Sequence, residues 1–387
     1  MRIHQFKVSA PGKVILFGEH AVVYNKLAVA ASLDQRMTLE FAELPDEVAE
    51  SRQMVEISLP NIDLYLSVHI KKIKDFISLD QYHEPYDYDN LYRLVREFVP
   101  TIINRATTEQ IQSLEAFFFT MVFVNRNRTV LKPFRVHLDT EFPIGSGLGS
   151  SASFVVCFVT CFYYWWKLRK GEARKFIPYD LRHIADMSQM CEKVMHGNPS
   201  GIDTSVCTFG SIVKFRSNPY IMEPMAKAPK LKILLVDTQV QRSTKTMVQK
   251  VKELQAKHPT IYEPFIASID GISDAAFQAL VPIFRLSDNC EILLKYKELM
   301  KLINMNQNIL SMLEVSHPAL DKICDEAQKH GLAAKLTGAG GGGHAYVLIP
   351  PDTSDETISN LSQKLTAEGF KVTPAELGGN GVRVEDV

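Results

Sequence analysis

The sequence predicts an α+β protein. Strand-like and helix-like segments interleave without a regular βαβ period. The longest apolar run, from Ala152 to Trp166, follows directly on a glycine-rich loop. The 387 residues suffice for one large or two medium domains, at about 100–200 residues per domain.

In chain order, Phe6 to His20 reads as strand, turn and strand, with Pro11-Gly12 as the turn. Residues from about 41 to 130 are weakly patterned. Arg135 to Asp139 alternates as a strand does. The apolar segment from Ser151 to Lys167 is long enough for a buried helix, and its serines offer an N-cap. Leu181, Ile184, Ala185, Cys191, Val194 and Met195 follow helical spacing. Leu231 to Val236 reads as a buried strand. One helix is expected over about Cys290 to Leu313. Another starts at Ser316-His317-Pro318 and stops at Gly331. Ala345 to Ile349 reads as a strand. Three prolines lie within residues 218–230, and a boundary there divides the chain into 1–228 and 229–387.

Composition excludes several classes. Lys plus Arg is 43 and Asp plus Glu is 44, so the net charge is −1, unlike a nucleic-acid groove. With 46% hydrophobic and 22% charged residues, wholesale disorder is excluded. Cys157, Cys161, Cys191, Cys207, Cys290 and Cys324 form no CxxC pair and read as reduced, mostly buried thiols. The N-terminal residues lack an apolar signal core, and Ala152–Trp166 falls short of the roughly 20 residues of a membrane span. A cytoplasmic protein without membrane attachment is expected, in which the sequons at Asn127 and Asn360 stay inert.

Two glycine clusters hold eight of the 20 glycines. In the first, Pro143 to Ala152, glycine amides and serine hydroxyls lead into a helix start, a ready anion site. Taken alone, the segment serves equally as a turn capping a buried helix. It is not a Walker A loop, because Lys7 stands where the first glycine is needed before Gly12-Lys13. Neither HRD nor DFG occurs. The second cluster, Gly338 to Gly343, satisfies GxGxxG but precedes a strand, so the dinucleotide reading lacks its helix. A loop packed against substrate or phosphate is the alternative.

Three segments together are more specific: Pro11-Gly12-Lys13-Val14-Ile15-Leu16-Phe17-Gly18-Glu19-His20, the Pro143–Ser153 loop, and Lys335 to Gly343. In this order and spacing the chain resembles the GHMP small-molecule kinases. GEHAVVY at 18–24, SLPN at 58–61, EKVMHGNPSGID at 192–203 and TQVQRSTK at 238–245 are similar to members that act on mevalonate. Residues of about 62–130 match least. The resemblance implies an N-terminal domain like ribosomal-protein S5 domain 2, which holds the phosphate loop, and a ferredoxin-like C-terminal domain. It implies ATP-dependent, Mg²⁺-requiring phosphorylation of the 5-hydroxyl of mevalonate, a homodimer, and feedback inhibition by prenyl diphosphates. Another GHMP kinase, such as a phosphomevalonate kinase, and a silent nucleotide sensor are the competing readings.

The same resemblance assigns roles. Asp203 is the expected base; a carboxylate in reach of the hydroxyl accepts its proton. On spacing alone it reads as a helix cap. Lys13 is expected beside Asp203, to stabilise phosphoryl and alkoxide charge. Glu192 and Ser151 are the implied magnesium ligands, although periodicity alone makes Glu192 an exposed rim residue. Gly145, Ser146, Gly147, Leu148, Gly149, Ser150 and Ser151 are implied to hold the triphosphate, with Asn61 and Thr140 at the nucleotide. Glu19, His20, Arg242, Thr244, Gly340 and Gly341 are implied around mevalonate. The Arg242 guanidinium suits a carboxylate.

Some positions depart from the commoner family form. Phe17 and Tyr24 stand where histidine is frequent, Asn25 where glycine is, Ile144 where proline is, Ser146 where alanine is, and His344 where a smaller residue sits. Asn25 tolerates a left-handed turn, and Ser146 adds a hydroxyl near the nucleotide.

Overall fold

The computed structural model describes residues 3–45, 53–78, 87–125, 131–172, 175–196, 200–241 and 243–386. Strand β1 (Gln5–Phe17) pairs antiparallel with β2 (Ala28–Glu43). The expected turn at Pro11-Gly12 is not a turn. The chain runs on as one strand, with a register shift between Pro11 and Lys13. Proline is tolerated in a strand at such a bulge. Gly12 serves close approach rather than reversal: a Cβ there would stand 3.1 Å from the Leu148 carbonyl oxygen.

The weakly patterned region holds β3 (Met54–Leu59), β4 (Leu64–His69), α1 (Ile70–Ser78), α2 (Tyr88–Phe98) and α3 (Thr108–Asn125). Phe117, Phe118, Phe119, Met121 and Val122 of α3 are all buried, so this helix shows no polar stripe for periodicity to find. Next come β5 (Phe134–Thr140), α4 (Ser150–Arg169), α5 (Pro178–His196) and α6 (Ile202–Phe209). Helix α4 confirms the buried helix, but its N-cap is Gly149 at φ +82°, without a side-chain cap. The serines lie inside its first turn. It packs against β1, β2, α3, α5 and α6. Its Phe158 and Phe162 meet Phe117 edge-on, with ring centroids 5.1 and 5.8 Å away.

The hairpin β6 (Ile212–Arg216) and β7 (Ile221–Pro224) completes the first half. The second half runs β8 (Leu231–Asp237), α7 (Thr244–Lys257), α8 (Pro259–Ile283), α9 (Asn289–Met312), α10 (Pro318–Lys329), β9 (Ala333–Leu336), β10 (His344–Ile349), α11 (Asp355–Ala367) and β11 (Lys371–Leu377). Of its helices, α7, α8 and α11 went unread in the sequence. β12 (Arg383–Asp386) returns to pair with β1.

The strand path is β4-β3-β5-β2-β11-β8-β10-β9, joined across the halves where Leu377 meets Leu33. Helix α8 is long and apolar enough to cross a membrane, with half of its most apolar window buried. It packs on α9 and β2, and its Asp270 accepts from the Leu27 amide at 2.7 Å and from Arg216 at 3.0 Å. Cys157, Cys161, Cys191 and Cys207 are buried, Cys324 half-buried and Cys290 exposed; all six are free thiols.

Candidate active site

The loop between β5 and α4 is closed by its own short bonds. Ser150 Oγ accepts from the Gly145 amide at 3.1 Å, and Ser146 Oγ donates to the Pro143 carbonyl at 2.6 Å. Gly145, Gly147 and Gly149 all have positive φ, which glycine adopts without strain. The Lys13 amide donates to Leu148 O at 2.8 Å, which ties the β1 bulge to the loop. The Ser146 hydroxyl, expected near the nucleotide, thus bonds within the loop.

A cavity of about 350 Å³ lies in front of this loop, lined by Gly145, Gly147, Gly149, Ser150 and Ser151 on one side. Lys13, Glu192 and Asp203 line another wall. Lys13 is buried, and its Nζ stands 3.1 Å from Asp203 Oδ1. The lysine stem passes over Gly149, where a Cβ would stand 2.7 Å from Lys13 Cγ. Asp203 occupies the first turn of α6, which starts at Gly201 (φ +85°) without a side-chain cap. The aspartate therefore is not the cap that spacing alone suggests.

Glu192 is buried, not the rim residue that periodicity implies. Burial, the neighbouring Asp203 charge and, against them, Lys13 leave its carboxyl pushed up to about 8. Two carboxylates share one lysine, and the Ser151 hydroxyl lines the same cavity. This all-oxygen donor set fits a hard divalent cation that takes its other ligands from phosphates and water. Among the described residues no group of three or more His, Cys, Asp or Glu is placed to hold a metal ion by itself, and such a site needs none.

Glu19 and His20 form the far wall with Gly338 and Ala339. Glu19 is fully buried and ion-paired with the fully buried Lys335, whose ammonium also donates to Leu336 O at 2.8 Å. Burial raises the Glu19 carboxyl, with Lys335 and Lys13 opposing. Its second oxygen has no hydrogen-bond partner. His20 sits at φ +61° and donates from Nε2 to the Ala339 carbonyl at 2.9 Å. Burial lowers its pKa against that bond, which favours the neutral ring. The Ile15 amide donates to Thr337 Oγ1, and this hydroxyl donates back to Ile15 O, both at 3.0 Å. The first and third motifs are thereby sewn together.

The remaining assignments divide. Thr244, first residue of α7, lines the main cavity. Asn61 and Ile144 line a second cavity of about 240 Å³ that shares Gly145, Ser150 and Ser151 with the first. Thr140 lines neither cavity; its hydroxyl donates to Phe142 O at 3.0 Å. Gly340 and Gly341 pack behind the wall rather than on it. A Cβ on Gly340 would lie 2.0 Å from Val315 O, and the Gly341 amide donates to that oxygen at 2.8 Å. Arg242 lies outside the described residues. Asn25 is left-handed (φ +60°, ψ +31°), as its tolerance of such turns predicts.

Lys335 went unassigned in the sequence, although a lysine inside the apolar run Ala333-Ala334-Lys335-Leu336 signals a buried charge in need of a partner. Glu109, Gln112, Ser113 and Ala116 also line the second cavity. No motif marks them.

Strand bulge, glycine loop and helix-borne acid meet at one cavity, and the comparisons place the chain among small-molecule kinases. The family profile "GHMP kinases N terminal domain" matches residues 116–211, and "GHMP kinases C terminal" matches residues 292–367. Over nearly its full length the chain is similar to mevalonate kinases. It is 34% identical to that of Mus musculus, over 97% of this chain and 94% of that protein. It is 34% identical to that of Dictyostelium discoideum, over 98% and 96%. The chain belongs to the mevalonate kinase branch of the GHMP kinase family.

Solved structures agree on the fold. The Methanococcus jannaschii mevalonate kinase matches at TM-score 0.69 and 24% identity, covering 96% of this chain and 98% of that one. The L. major mevalonate kinase in complex with R-mevalonate matches at 0.65 and 20%, covering 97% and 96%. The Streptococcus pneumoniae phosphomevalonate kinase matches at 0.61 and 15%, covering 100% of both. Fold alone therefore does not choose the acceptor.

Proposed function

We propose that the protein transfers the γ-phosphoryl group of ATP to the 5-hydroxyl of mevalonate, giving 5-phosphomevalonate and ADP. The observation that carries this reading is Asp203, held by Lys13 in the cavity that the glycine loop also lines. Phosphoryl transfer asks the protein for positioning and charge stabilisation more than for covalent chemistry. Asp203 accepts the hydroxyl proton as the bond to phosphorus forms. Lys13 pairs with that carboxylate and, with the loop amides, stabilises charge on the transferring group. Ser151 and Glu192 would hold Mg²⁺, which would neutralise phosphate charge. Gly145 to Ser151 hold the triphosphate. The second cavity, with apolar Leu59, Ile62, Leu138 and Phe154, takes the nucleoside beside Asn61.

His20 and Thr244 face mevalonate across the cavity, Glu19 borders it with its carboxylate buried on Lys335, and Arg242 is assigned to the substrate carboxylate by family likeness. The apolar second cavity also supports competition between prenyl diphosphates and ATP. A two-domain division at 228/229, a homodimer and a cytoplasmic location complete the proposal; six free thiols support the location.

An assay of ADP release over a panel of acceptors tests the reading. Release that requires mevalonate is expected. Release only with phosphomevalonate or a sugar, or no release with any acceptor, overturns it.

A further inference from the structure

His344 departs from the commoner family form, and no part of the mechanism above uses it. It opens β10 and is buried. Its ring reaches 198 positions back along the chain to the phosphate loop, with Nδ1 3.2 Å from the Ser146 carbonyl oxygen. A carbonyl oxygen only accepts, so Nδ1 carries the hydrogen and donates. The mount is rigid. The His344 carbonyl accepts from the Thr337 amide at 3.0 Å. The preceding Gly343 carbonyl accepts from the Thr238 amide at 2.9 Å and its hydroxyl at 2.7 Å. Across the β8–β10 pair, Asp237 Oδ2 stands 4.0 Å from Nε2, too far for a hydrogen bond but near enough to attract the ring.

We propose that His344 is a positioning residue for the phosphate loop: its Nδ1–H fixes the Ser146 carbonyl, and so aims the Gly147 amide at the nucleotide phosphates. The reason is peptide geometry. In a planar trans unit the C=O of one residue and the N–H of the next point in opposite directions. Holding the Ser146 oxygen toward His344 turns the Gly147 N–H away from it. Gly147 itself lines the main cavity, whereas His344 does not. At φ +81° Gly147 has a wide choice of conformations, so its peptide needs an external anchor to stay in one. The third motif thereby reaches into the nucleotide site without touching the nucleotide. This inference rests on the kinase reading above.

The test compares His344→Leu, His344→Asn and His344→Gln with the wild type. Calorimetry measures binding of Mg²⁺ with a non-hydrolysable ATP analogue, and steady-state kinetics supplies kcat and both KM values. An asparagine amide places its N–H where the imidazole Nδ1–H stands; a glutamine amide reaches the Nε2 position instead. Leu and Gln should weaken nucleotide binding about tenfold, the worth of one hydrogen bond at the upper end of its usual range. Their kcat and their KM for mevalonate should stay near wild type. Asn should recover most of the affinity. Wild-type nucleotide affinity in Leu or Gln overturns the proposal. So does an Asn variant as weak as Gln, since packing rather than the donor is then responsible. Failure of mevalonate-dependent ADP release in the wild type overturns the kinase reading separately, because the binding comparison needs no acceptor.

Discussion

The Lys13 ammonium lies 3.1 Å from Asp203 Oδ1, with the lysine side chain 6% and the aspartate 33% exposed. A bulge in the first strand and the first turn of α6 meet at this contact. The buried partner anchors, and the exposed carboxylate faces the cavity.

Asp203→Asn keeps the shape and removes the proton acceptor. Turnover should fall by about 10²–10⁴-fold, the usual worth of a positioned base, while Mg·ATP affinity stays near wild type. Steady-state kinetics with calorimetric nucleotide binding checks both halves. Near-normal turnover removes Asp203 from the role of base.

Glu192→Gln should raise the Mg²⁺ concentration needed for half-maximal rate by at least the ~10-fold that losing an outer partner alone costs a metal site. The same residue makes stability depend on pH. Its carboxyl titrates near 4.5 in the unfolded chain and at about 8 in the fold. Between these values the folded state binds the extra proton, so this contribution to stability falls as pH rises. In metal-free buffer the melting temperature of wild type relative to Glu192→Gln should therefore decline across that interval. A constant difference contradicts the assignment.

Lys335→Met leaves the buried Glu19 carboxylate without its cation. Removing one partner of a buried pair costs about 3–5 kcal/mol, and denaturant unfolding should show a loss of this size. Adding Glu19→Gln should restore part of it, because the amide carries no charge to desolvate. An unchanged midpoint in the single variant refutes the pairing as a stabilising contact.

Gly149→Ala and Gly171→Ala separate backbone strain from displacement of Lys13. Both glycines are left-handed, at φ +82° and +71°, and an alanine there costs about 1–2 kcal/mol. Only at Gly149 does the new Cβ strike Lys13, 2.7 Å from its Cγ; around Gly171 nothing lies within 4 Å. Similar melting shifts are expected, with turnover lost in Gly149→Ala alone. Equal turnover in the two variants contradicts the contact.

Much of this site is legible in the chain. Glycines that need positive φ, serines before an apolar run and an acid after Gly201 are local signals, because each reports the backbone of its own neighbourhood. Glu192 shows where local signals fail. Its place off the apolar stripe suggests solvent, yet α5 turns that edge into the cavity beside Asp203 and Lys13. The Pro11-Gly12 bulge fails similarly. A Pro-Gly pair marks a turn unless another segment, here Leu148, needs to approach the strand closely.

The sequence by itself determined the glycine loop, the buried helix behind it and the three motifs that place the chain in its family, since short-range backbone preference and apolar patterning produce these. Tertiary structure alone decided that Lys335 meets Glu19 and that His344 meets the Ser146 carbonyl, while Lys13 meets Asp203 as the resemblance implies. Those pairs join residues 190 or more positions apart, read from their own numbers. Their energies depend on burial that arises only when both halves close on one another.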